Sequence, residues 1–221
     1  MEKLHDIVKG PAVAVDTVVM TVGDKELKVL LIKIGSGPYK DKWALPGGLV
    51  SLGEDLDQTV MRVLKQKTNI KIGHMEQTYT FGKVDRDVRG QVVSVAYMLL
   101  IDDKDKLKTI TSDHYVDIQW FEIKKLPELA FDHKEIIALA YKRLCEKTGY
   151  SNIACFLSPK TFTLTELQNV YESILGRAID KRNFRKKMLS LKMIVPTKMI
   201  RRGENRPAKV YRFAKEKVIY F

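Results

Sequence analysis

Three positions on one predicted helix decide whether this chain could bind a catalytic metal ion. The helix follows a glycine turn, and its residues 63, 66 and 67 share one face because of their i, i+3, i+4 spacing. Carboxylates there would form an oxygen cluster suited to Mg²⁺, which could neutralise a diphosphate and activate water. The chain instead has Val63, Gln66 and Lys67. We therefore predict a scaffold helix with no catalytic or metal-binding residues, although Glu54 and Arg62 can still pair.

A second stretch, which could bind phosphates, lies downstream. The pattern of Asp180–Leu191 predicts a basic amphipathic helix. Asp180 can cap it, and Phe184, Met188 and Leu191 recur on one face that would pack inward. The basic residues would face outward, as on a helix that contacts DNA bases and phosphates. A basic hairpin follows that could reach an adjacent backbone or minor groove. The predicted DNA-binding residues are Lys181, Arg182, Asn183, Arg185, Lys186, Lys187, Arg201, Arg202, Asn205 and Arg206.

The charge distribution divides the chain into two parts. Residues 150–221 contain 16 of the 39 lysines and arginines but 5 of the 27 acidic residues, a net charge of +11 out of +12. Residues 1–149 therefore carry +1. This asymmetry indicates a polyanion-binding module joined to a nearly neutral one. We predict two domains, 1–149 and 150–221, with the boundary at Gly149.

Composition and cysteine usage favour a soluble cytoplasmic protein. No apolar run approaches the roughly 18 residues needed to cross a membrane, and the N-terminus lacks a signal-peptide pattern. Cys145 and Cys155 form neither a metal-binding nor a disulfide pattern, so they are expected to be packing residues. We expect no membrane association and no cofactor.

The apolar patterns predict the elements that position these helices. In residues 1–149, Val13–Val22 and Leu27–Ile34 predict a hairpin with its turn at Gly23-Asp24. Apolar stripes mark one helix at Leu56, Val60, Val63 and Leu64 and a second helix, capped by Asp132, at Ile136, Ile137, Leu139, Ala140 and Leu144. Strands mixed with two helices are typical of an α/β sandwich. In residues 150–221, three helices followed by a basic hairpin give the winged-helix order, and Thr163–Glu166 is a capping-box pattern. The predicted elements are strands at Val13–Val22, Leu27–Ile34, Ile70–Ile72, Thr78–Lys83, Gln91–Ile101, Val116–Ile123, Thr197–Ile200 and Lys209–Phe213, and helices at 56–69, 133–147, 151–157, 164–175 and 181–191, with Pro196 ending the last helical run.

The stretch Gly47–Ile70 resembles the Nudix box of the Nudix hydrolase superfamily. Gly48, Glu54, Arg62, Leu64 and Ile70 match that motif in register, whereas Val63, Gln66 and Lys67 replace its three glutamates and Asn69 its late glycine. The resemblance implies a Nudix fold, and the departures put hydrolysis in doubt.

The two halves together resemble the Nudix-related transcriptional regulators of the NrtR family. The similarity is carried by Phe81-Gly82, Asp85–Gly90, Val92–Tyr97, Leu129–Ile136, Phe162–Gln168, Val170–Glu172, Asp180–Lys187, Asn205–Ala208 and Tyr211–Phe213. The resemblance implies an α/β/α sandwich followed by a winged helix-turn-helix, and a repressor that binds operator DNA as a homodimer. It also implies that the first domain binds a small effector, either ADP-ribose or a related NAD metabolite, or a sugar.

Charged and aromatic residues in the first domain are candidates for effector binding. The segment Asp85–Arg89 favours a phosphorylated effector, and Lys67 could meet a ligand phosphate directly. The entry segment Lys40–Trp43 adds charge and a stacking surface. The predicted ligand-binding residues are Lys42, Trp43, Arg62, Lys67, Phe81, Arg86 and Arg89.

Two alternatives remain open on the sequence. The chain could be a Nudix hydrolase of nucleoside diphosphate derivatives with a non-standard metal site at Glu54 and Asp55 or Asp57, in which the basic domain holds substrate or RNA. It could also be a regulator of the same family that responds to a sugar.

Overall fold

The computed structural model describes residues 10–67, 72–102, 115–202 and 207–221, except for the Lys67 side chain. A seven-stranded mixed sheet forms the centre of the first part of the chain. Its central strands are nearly continuous apolar runs, because both faces of the sheet are covered. The strands are β1 (Ala12–Gly23), β2 (Glu26–Ile34), β3 (Trp43–Ala44), β4 (Gly47–Leu49), β5 (His74–Phe81), β6 (Val92–Leu100) and β7 (Tyr115–Glu122).

The strand order is β3-β2-β1-β6-β5, with β4 also paired to β1 and β7 to β2. Strand β1 runs parallel to β6 over Ala12–Met20 and antiparallel to β2 and β4. The turn between β1 and β2 is made by Asp24 and Lys25, both with positive φ. Two such residues give a turn whose twist matches that of the strands. The predicted hairpin is confirmed.

Helix α1 (Leu56–Lys67) covers one face of the sheet. Asp55 and Gln58 cap its N-terminus reciprocally, because each side chain accepts from the backbone N–H of the other at 2.7 and 3.0 Å. Val60, Val63 and Leu64 are buried against this face of the sheet. The apolar face predicted for this helix is confirmed, while Asn69 and Ile70, which follow it, lie outside the described residues.

Helix α2 (His133–Tyr150) covers the opposite face. Its buried side chains include Ile136, Ile137, Ala140 and Leu144, which follow the predicted apolar stripe. The sheet is therefore sandwiched between helices, as predicted. The helix ends at Tyr150, one residue beyond the predicted domain boundary.

The rest of the chain forms a winged helix. The capping box predicted at Thr163 is present, with Thr163 Oγ1 accepting from Glu166 N at 3.2 Å and Glu166 Oε2 accepting from Thr163 N at 2.8 Å. Asp180 caps the next helix by accepting from Asn183 N at 2.8 Å. The elements are a 3-10 helix (Ile153–Leu157), β8 (Phe162–Thr163), α3 (Leu164–Leu175), α4 (Lys181–Ser190), β9 (Ile194–Arg201) and β10 (Ala208–Phe213), with sheet order β8-β10-β9.

One hydrophobic core joins the winged helix to the face of the sheet that α2 covers. Val29 and Leu31 of β2 belong to the same buried cluster as Leu167 and Ile174 of α3 and Phe184 of α4. Helix α4 is therefore connected to the central sheet through packed side chains.

Some details differ from the sequence-based expectations. The short strands β3, β4 and β8 were not predicted, because two or three residues form a strand only when a distant partner is present. Pro196 does not follow the third helix as a terminator but lies inside β9. The strand predicted to begin at Ile70 begins at His74 among the described residues. No helix in the described ranges is long and apolar enough to span a membrane.

Candidate functional site

A buried ionic network surrounds Asp16 of β1. Arg86 donates to the two carboxylate oxygens of Asp132 at 2.9 and 2.7 Å and to Asp16 at 3.1 Å. Ser94 Oγ donates to Asp16 at 2.6 Å, and His133 Nε2 lies 3.4 Å from the other oxygen of Asp16. The network connects β1 and β6 with the β5–β6 loop and the start of α2.

Asp16 stays ionised in this network. Burial acts to raise the pKa of Asp16, but contacts with His133, Ser94 and Arg86 outweigh burial and hold that pKa below its usual range. The backbone N–H of Leu45 donates to His133 Nδ1 at 2.9 Å. Neutral His133 therefore carries its proton on Nε2, the nitrogen that faces Asp16.

A cavity of about 590 Å³ lies beside this network. Pockets that bind small molecules commonly have volumes of about 300–1,000 Å³, so the cavity has room for a nucleotide-sized ligand. Its wall combines charged groups of the network with aliphatic and aromatic side chains. The lining includes Ala14, Asp16, Ile32, Leu49, Arg86, Arg89, Tyr115, Phe131 and His133.

Arg89 and Phe131 line one side of the cavity, and the Tyr39 ring packs against Phe131 without lining the cavity itself. We call these three residues the Arg89 edge (Tyr39, Arg89 and Phe131). The rings of Tyr39 and Phe131 lie 4.1 Å apart, and the Arg89 guanidinium lies 5.2 Å from the centre of the Phe131 ring. Asp87 accepts from Arg89 Nε and Nη2, the latter at 2.7 Å. Arginine has five N–H donors, so donors remain for a ligand. The Arg89 side chain is 60% exposed.

Helix α1 has Val63, Gln66 and Lys67 at the positions where the Nudix-box resemblance would place glutamates. Val63 is buried, and a Cβ on Gly48 would lie 3.1 Å from Val63 Cγ2. Arg62 and Glu54 form an ion pair at 2.8 Å, and hydrogen bonds from Arg62 and Thr59 lower the pKa of Glu54 to about 2. Within the described ranges, no three His, Cys, Asp or Glu residues are grouped to hold a metal ion. Through hydrogen bonds from Ser51 N, Thr59 Oγ1 and Arg62 Nε, Glu54 holds the loop to the helix.

Gly47 allows β4 to approach the buried network closely. A Cβ at this position would lie 2.3 Å from Asp16 Oδ1 and 2.7 Å from the Val15 carbonyl oxygen. Only glycine fits between β1 and the network, so Gly47 sets the shape of this cavity wall.

Helix α4 presents a basic surface to solvent. Phe184 and Met188 are buried, and Tyr171 of α3 packs edge-on against Phe184 with ring centres 5.3 Å apart. Among the described residues, no ion pair forms with any basic side chain of α4, although Lys187 Nζ lies 5.7 Å from the centre of the Phe221 ring. The exposed predicted DNA-binding residues of this helix are Lys181, Arg182, Asn183, Arg185, Lys186 and Lys187.

Two of the wing residues predicted to bind DNA, Arg201 and Arg202, lie in the described part of the chain, and their contacts differ. Arg201 at the end of β9 forms an ion pair with Glu166 of α3. Arg202 is exposed. Asn205 and Arg206 lie outside the described residues.

Comparison with known families gives two matches that follow this architecture. Residues 10–151 match the NUDIX domain, and residues 154–213 match the NrtR DNA-binding winged helix domain. The chain is also 38% identical over 207 residues to the ADPR responsive transcriptional repressor NtrR of Acinetobacter baylyi, covering 93% of this chain and 83% of the relative. The chain belongs to the NrtR family of Nudix-related transcriptional regulators. The predicted fold class and family are confirmed.

Solved structures of an NrtR family member agree with this assignment. Shewanella oneidensis NrtR in complex with a 27mer DNA superimposes with a TM-score of 0.80 at 34% identity, covering 92% of this chain and 94% of that one. Its NUDIX domain in complex with ADP ribose superimposes with a TM-score of 0.57 at 35% identity, covering 63% of this chain and 92% of that one. An ADP-ribose pyrophosphatase of Methanocaldococcus jannaschii is 37% identical over 135 residues, 61% of this chain and 76% of the relative.

The structure brings two of the predicted ligand-binding residues, Arg86 and Arg89, to the cavity. The other described members lie elsewhere. Lys42 pairs with Glu128 at 2.8 Å, and the Trp43 ring packs edge-on against Phe121 with centres 4.6 Å apart. Phe81 is buried in the core cluster shared with α2, and Arg62 pairs with Glu54. The Lys67 side chain lies outside the described part of the chain.

Several cavity residues were missed from the sequence. Asp16 stands in an otherwise apolar strand, and that signal could have identified it as a buried charge that needs a partner. Asp132 was interpreted as a helix cap and His133 as the first helical residue, but both contact the network. Tyr39 and Phe131 carry no local pattern that marks a ligand site.

Proposed function

We propose that this protein is a transcriptional repressor that binds operator DNA through α4 and the wing and senses ADP-ribose in the cavity beside Asp16. The observation that carries this proposal is the pairing, in one chain, of a nucleotide-sized cavity with a helix whose basic side chains point to solvent. Its relatives support the choice of partners, because one is named ADPR responsive and another forms a complex with DNA. We retain the division into domains 1–149 and 150–221 as part of the proposal.

The Arg89 edge suits the diphosphate and a planar ring of the effector. A guanidinium with free donors can bind phosphate oxygens through charge-assisted hydrogen bonds. The Phe131 ring, which Tyr39 packs against, offers a surface for stacking. Arg86 pairs with both Asp16 and Asp132 and balances one of their two negative charges, which reduces the repulsion that the carboxylates would exert on an anionic ligand.

Binding without hydrolysis follows from the composition of α1. Val63 and Gln66 provide no ionised oxygen, so a Mg²⁺ ion would lack the ligands that the matching glutamates supply. An effector bound in the cavity would persist as a signal. We therefore expect no cofactor and no catalytic residue.

Hydrolysis of a nucleoside diphosphate derivative remains the alternative activity, and the similarity to an ADP-ribose pyrophosphatase favours it. The two functions are separated by incubating the protein with ADP-ribose and Mg²⁺ or Mn²⁺. Our proposal predicts intact ADP-ribose at the end of the incubation. Turnover that is abolished in Glu54→Gln would support the hydrolase.

DNA binding is expected to involve two copies of the chain. A homodimer would place two α4 helices on half-sites about one helical turn apart, so the operator should be a palindrome. The affinity should fall steeply as salt rises, because lysine and arginine displace counterions from phosphates.

A thermal-shift screen tests the effector directly. ADP-ribose should raise the melting temperature of the wild-type protein, since a ligand that binds only the folded state stabilises it. Pentose sugars should leave the melting temperature unchanged. A response to a pentose but not to ADP-ribose would support a sugar-responsive regulator instead.

A further inference from the structure

One carboxylate of the winged helix has two separate structural roles. Glu166 Oε2 accepts from the backbone N–H of Thr163 and so completes the capping box of α3. Glu166 Oε1 accepts from Arg201 Nη1, 35 residues away in the sequence. Both side chains of this ion pair are partly exposed, at 44% for Arg201 and 39% for Glu166.

The ion pair joins β9 directly to α3, whereas the sheet order β8-β10-β9 connects them only through β10. Arg201 is the last residue of β9 and lies opposite Ala208 of β10, at the outer end of the wing. Thr163 pairs with Val210, two residues further along β10. The Arg201–Glu166 pair therefore fixes the outer end of the wing to the first turn of α3.

We propose that Arg201 is a positioning residue for DNA binding, which acts through Glu166 to hold the wing and does not contact a phosphate. The proposal rests on the DNA-binding function proposed above. It also revises the sequence-based interpretation, in which Arg201 was one of the DNA-contacting residues.

The electrostatics of Glu166 make the proposal testable, because two roles for Arg201 predict opposite results. A carboxylate near DNA repels phosphates, so removing its charge should strengthen binding if Arg201 is an independent phosphate contact. If Glu166 holds the wing through Arg201, removing its charge should weaken binding, because the wing must then be ordered on the DNA.

The variant Glu166→Gln separates these roles without removing the helix cap. Glutamine also serves at this position of a capping box, so α3 should keep its N-terminus. We expect Glu166→Gln to bind upstream DNA about two- to fivefold more weakly than the wild type, the range of an exposed ion pair. Its thermal unfolding should be close to that of the wild type.

Glu216→Gln is a matched control, because Glu216 is an exposed carboxylate of the same domain that lies outside the wing. It removes the same charge and should leave DNA affinity unchanged or slightly higher. A combined variant, Glu166→Gln with Arg201→Gln, should bind no more weakly than Arg201→Gln alone, because the two residues act as one unit.

The salt dependence provides a second readout. A lost phosphate contact lowers the slope of log affinity against log salt by about 0.9, whereas a lost positioning contact leaves the slope unchanged. We expect an unchanged slope for Arg201→Gln. Equal or tighter binding of Glu166→Gln, or a reduced slope for Arg201→Gln, would overturn the proposal. A wild-type protein that does not prefer its upstream DNA would overturn the proposed function as well, which distinguishes the two failures.

Discussion

The arginines of the cavity pair with carboxylates of the protein, whereas the basic residues of α4 face solvent. Arg86 is buried between Asp16 and Asp132, and Arg89 pairs with Asp87. The basic side chains of α4 are exposed and form no ion pair among the described residues. Charge that is neutralised internally shapes a binding site, whereas charge left without a partner attracts a polyanion.

This comparison explains the uneven charge of the sequence. The net charge of +1 over residues 1–149 reflects arginines and lysines that have internal carboxylate partners, such as Arg62 with Glu54 and Lys147 with Glu76. Within the +11 over residues 150–221, the basic side chains of α4 are exposed and available to an external partner.

The largest effect is expected when the buried arginine is removed. Arg86→Met leaves Asp16 and Asp132 buried without their cation, which should lower the free energy of unfolding by about 3–5 kcal/mol. Denaturant unfolding measures this loss. Lys83→Ala is the control, because Lys83 and its partner Glu135 are both exposed and the loss of this ion pair should change stability by less than about 1 kcal/mol. Equal losses in the two variants would break the distinction between buried and exposed ion pairs.

The next largest effect concerns the basic surface of α4. Arg182→Ala combined with Arg185→Ala should weaken DNA binding by about 100-fold and, if both contact phosphates, reduce the salt slope by about 2. Titration of labelled upstream DNA at several salt concentrations measures both quantities. Lys65→Ala removes an exposed cation from α1 and should change neither. An effect of Lys65→Ala as large as that of the double variant would contradict the role assigned to α4.

A smaller effect is expected at the Arg89 edge. Arg89→Ala should weaken ADP-ribose binding by about tenfold or more, because charge-assisted hydrogen bonds contribute about 1.5–3 kcal/mol. Calorimetric titration measures the change. Lys42→Ala provides the comparison, since Lys42 was a sequence-based candidate but pairs with Glu128 away from the cavity. If Lys42→Ala weakened ADP-ribose binding and Arg89→Ala did not, ADP-ribose would bind near Lys42 and not at the Arg89 edge.

No gain of hydrolytic activity is expected when a single glutamate of the Nudix box is introduced. Lys67→Glu should not produce hydrolysis of ADP-ribose with Mg²⁺, because Val63 and Gln66 still leave the metal short of ligands. Chromatography of the reaction mixture checks this. Appearance of AMP and ribose 5-phosphate with Lys67→Glu alone would show that the metal site is nearly intact.

Local patterns predicted most of the fold. The capping box at Thr163 and Glu166, the hairpin around Asp24 and the apolar face of α1 depend on residues close in sequence, and the structure confirms them. Strands β3 and β8 were not predicted, because each has only two residues and is defined by its pairing with another strand, β2 and β10 respectively.

The site was less predictable than the fold. The charge of Arg86 and Arg89 was visible, but their partners Asp16 and Asp132 lie 70 and 46 residues from Arg86. The pairing of Arg201 with Glu166 likewise joins distant residues, so its charge alone suggested a DNA contact. Residue type indicates which groups can be charged, whereas tertiary structure decides which of them remain available to a partner.

The most direct test of the account is the affinity of the wild-type protein for its upstream DNA, measured by fluorescence anisotropy while ADP-ribose is titrated. Binding at one site that is coupled to the other typically changes affinity by about 5- to 150-fold. We predict a shift of the DNA-binding midpoint of at least about fivefold, with the ADP-ribose recovered intact. An affinity for DNA that is identical with and without saturating ADP-ribose would contradict the account.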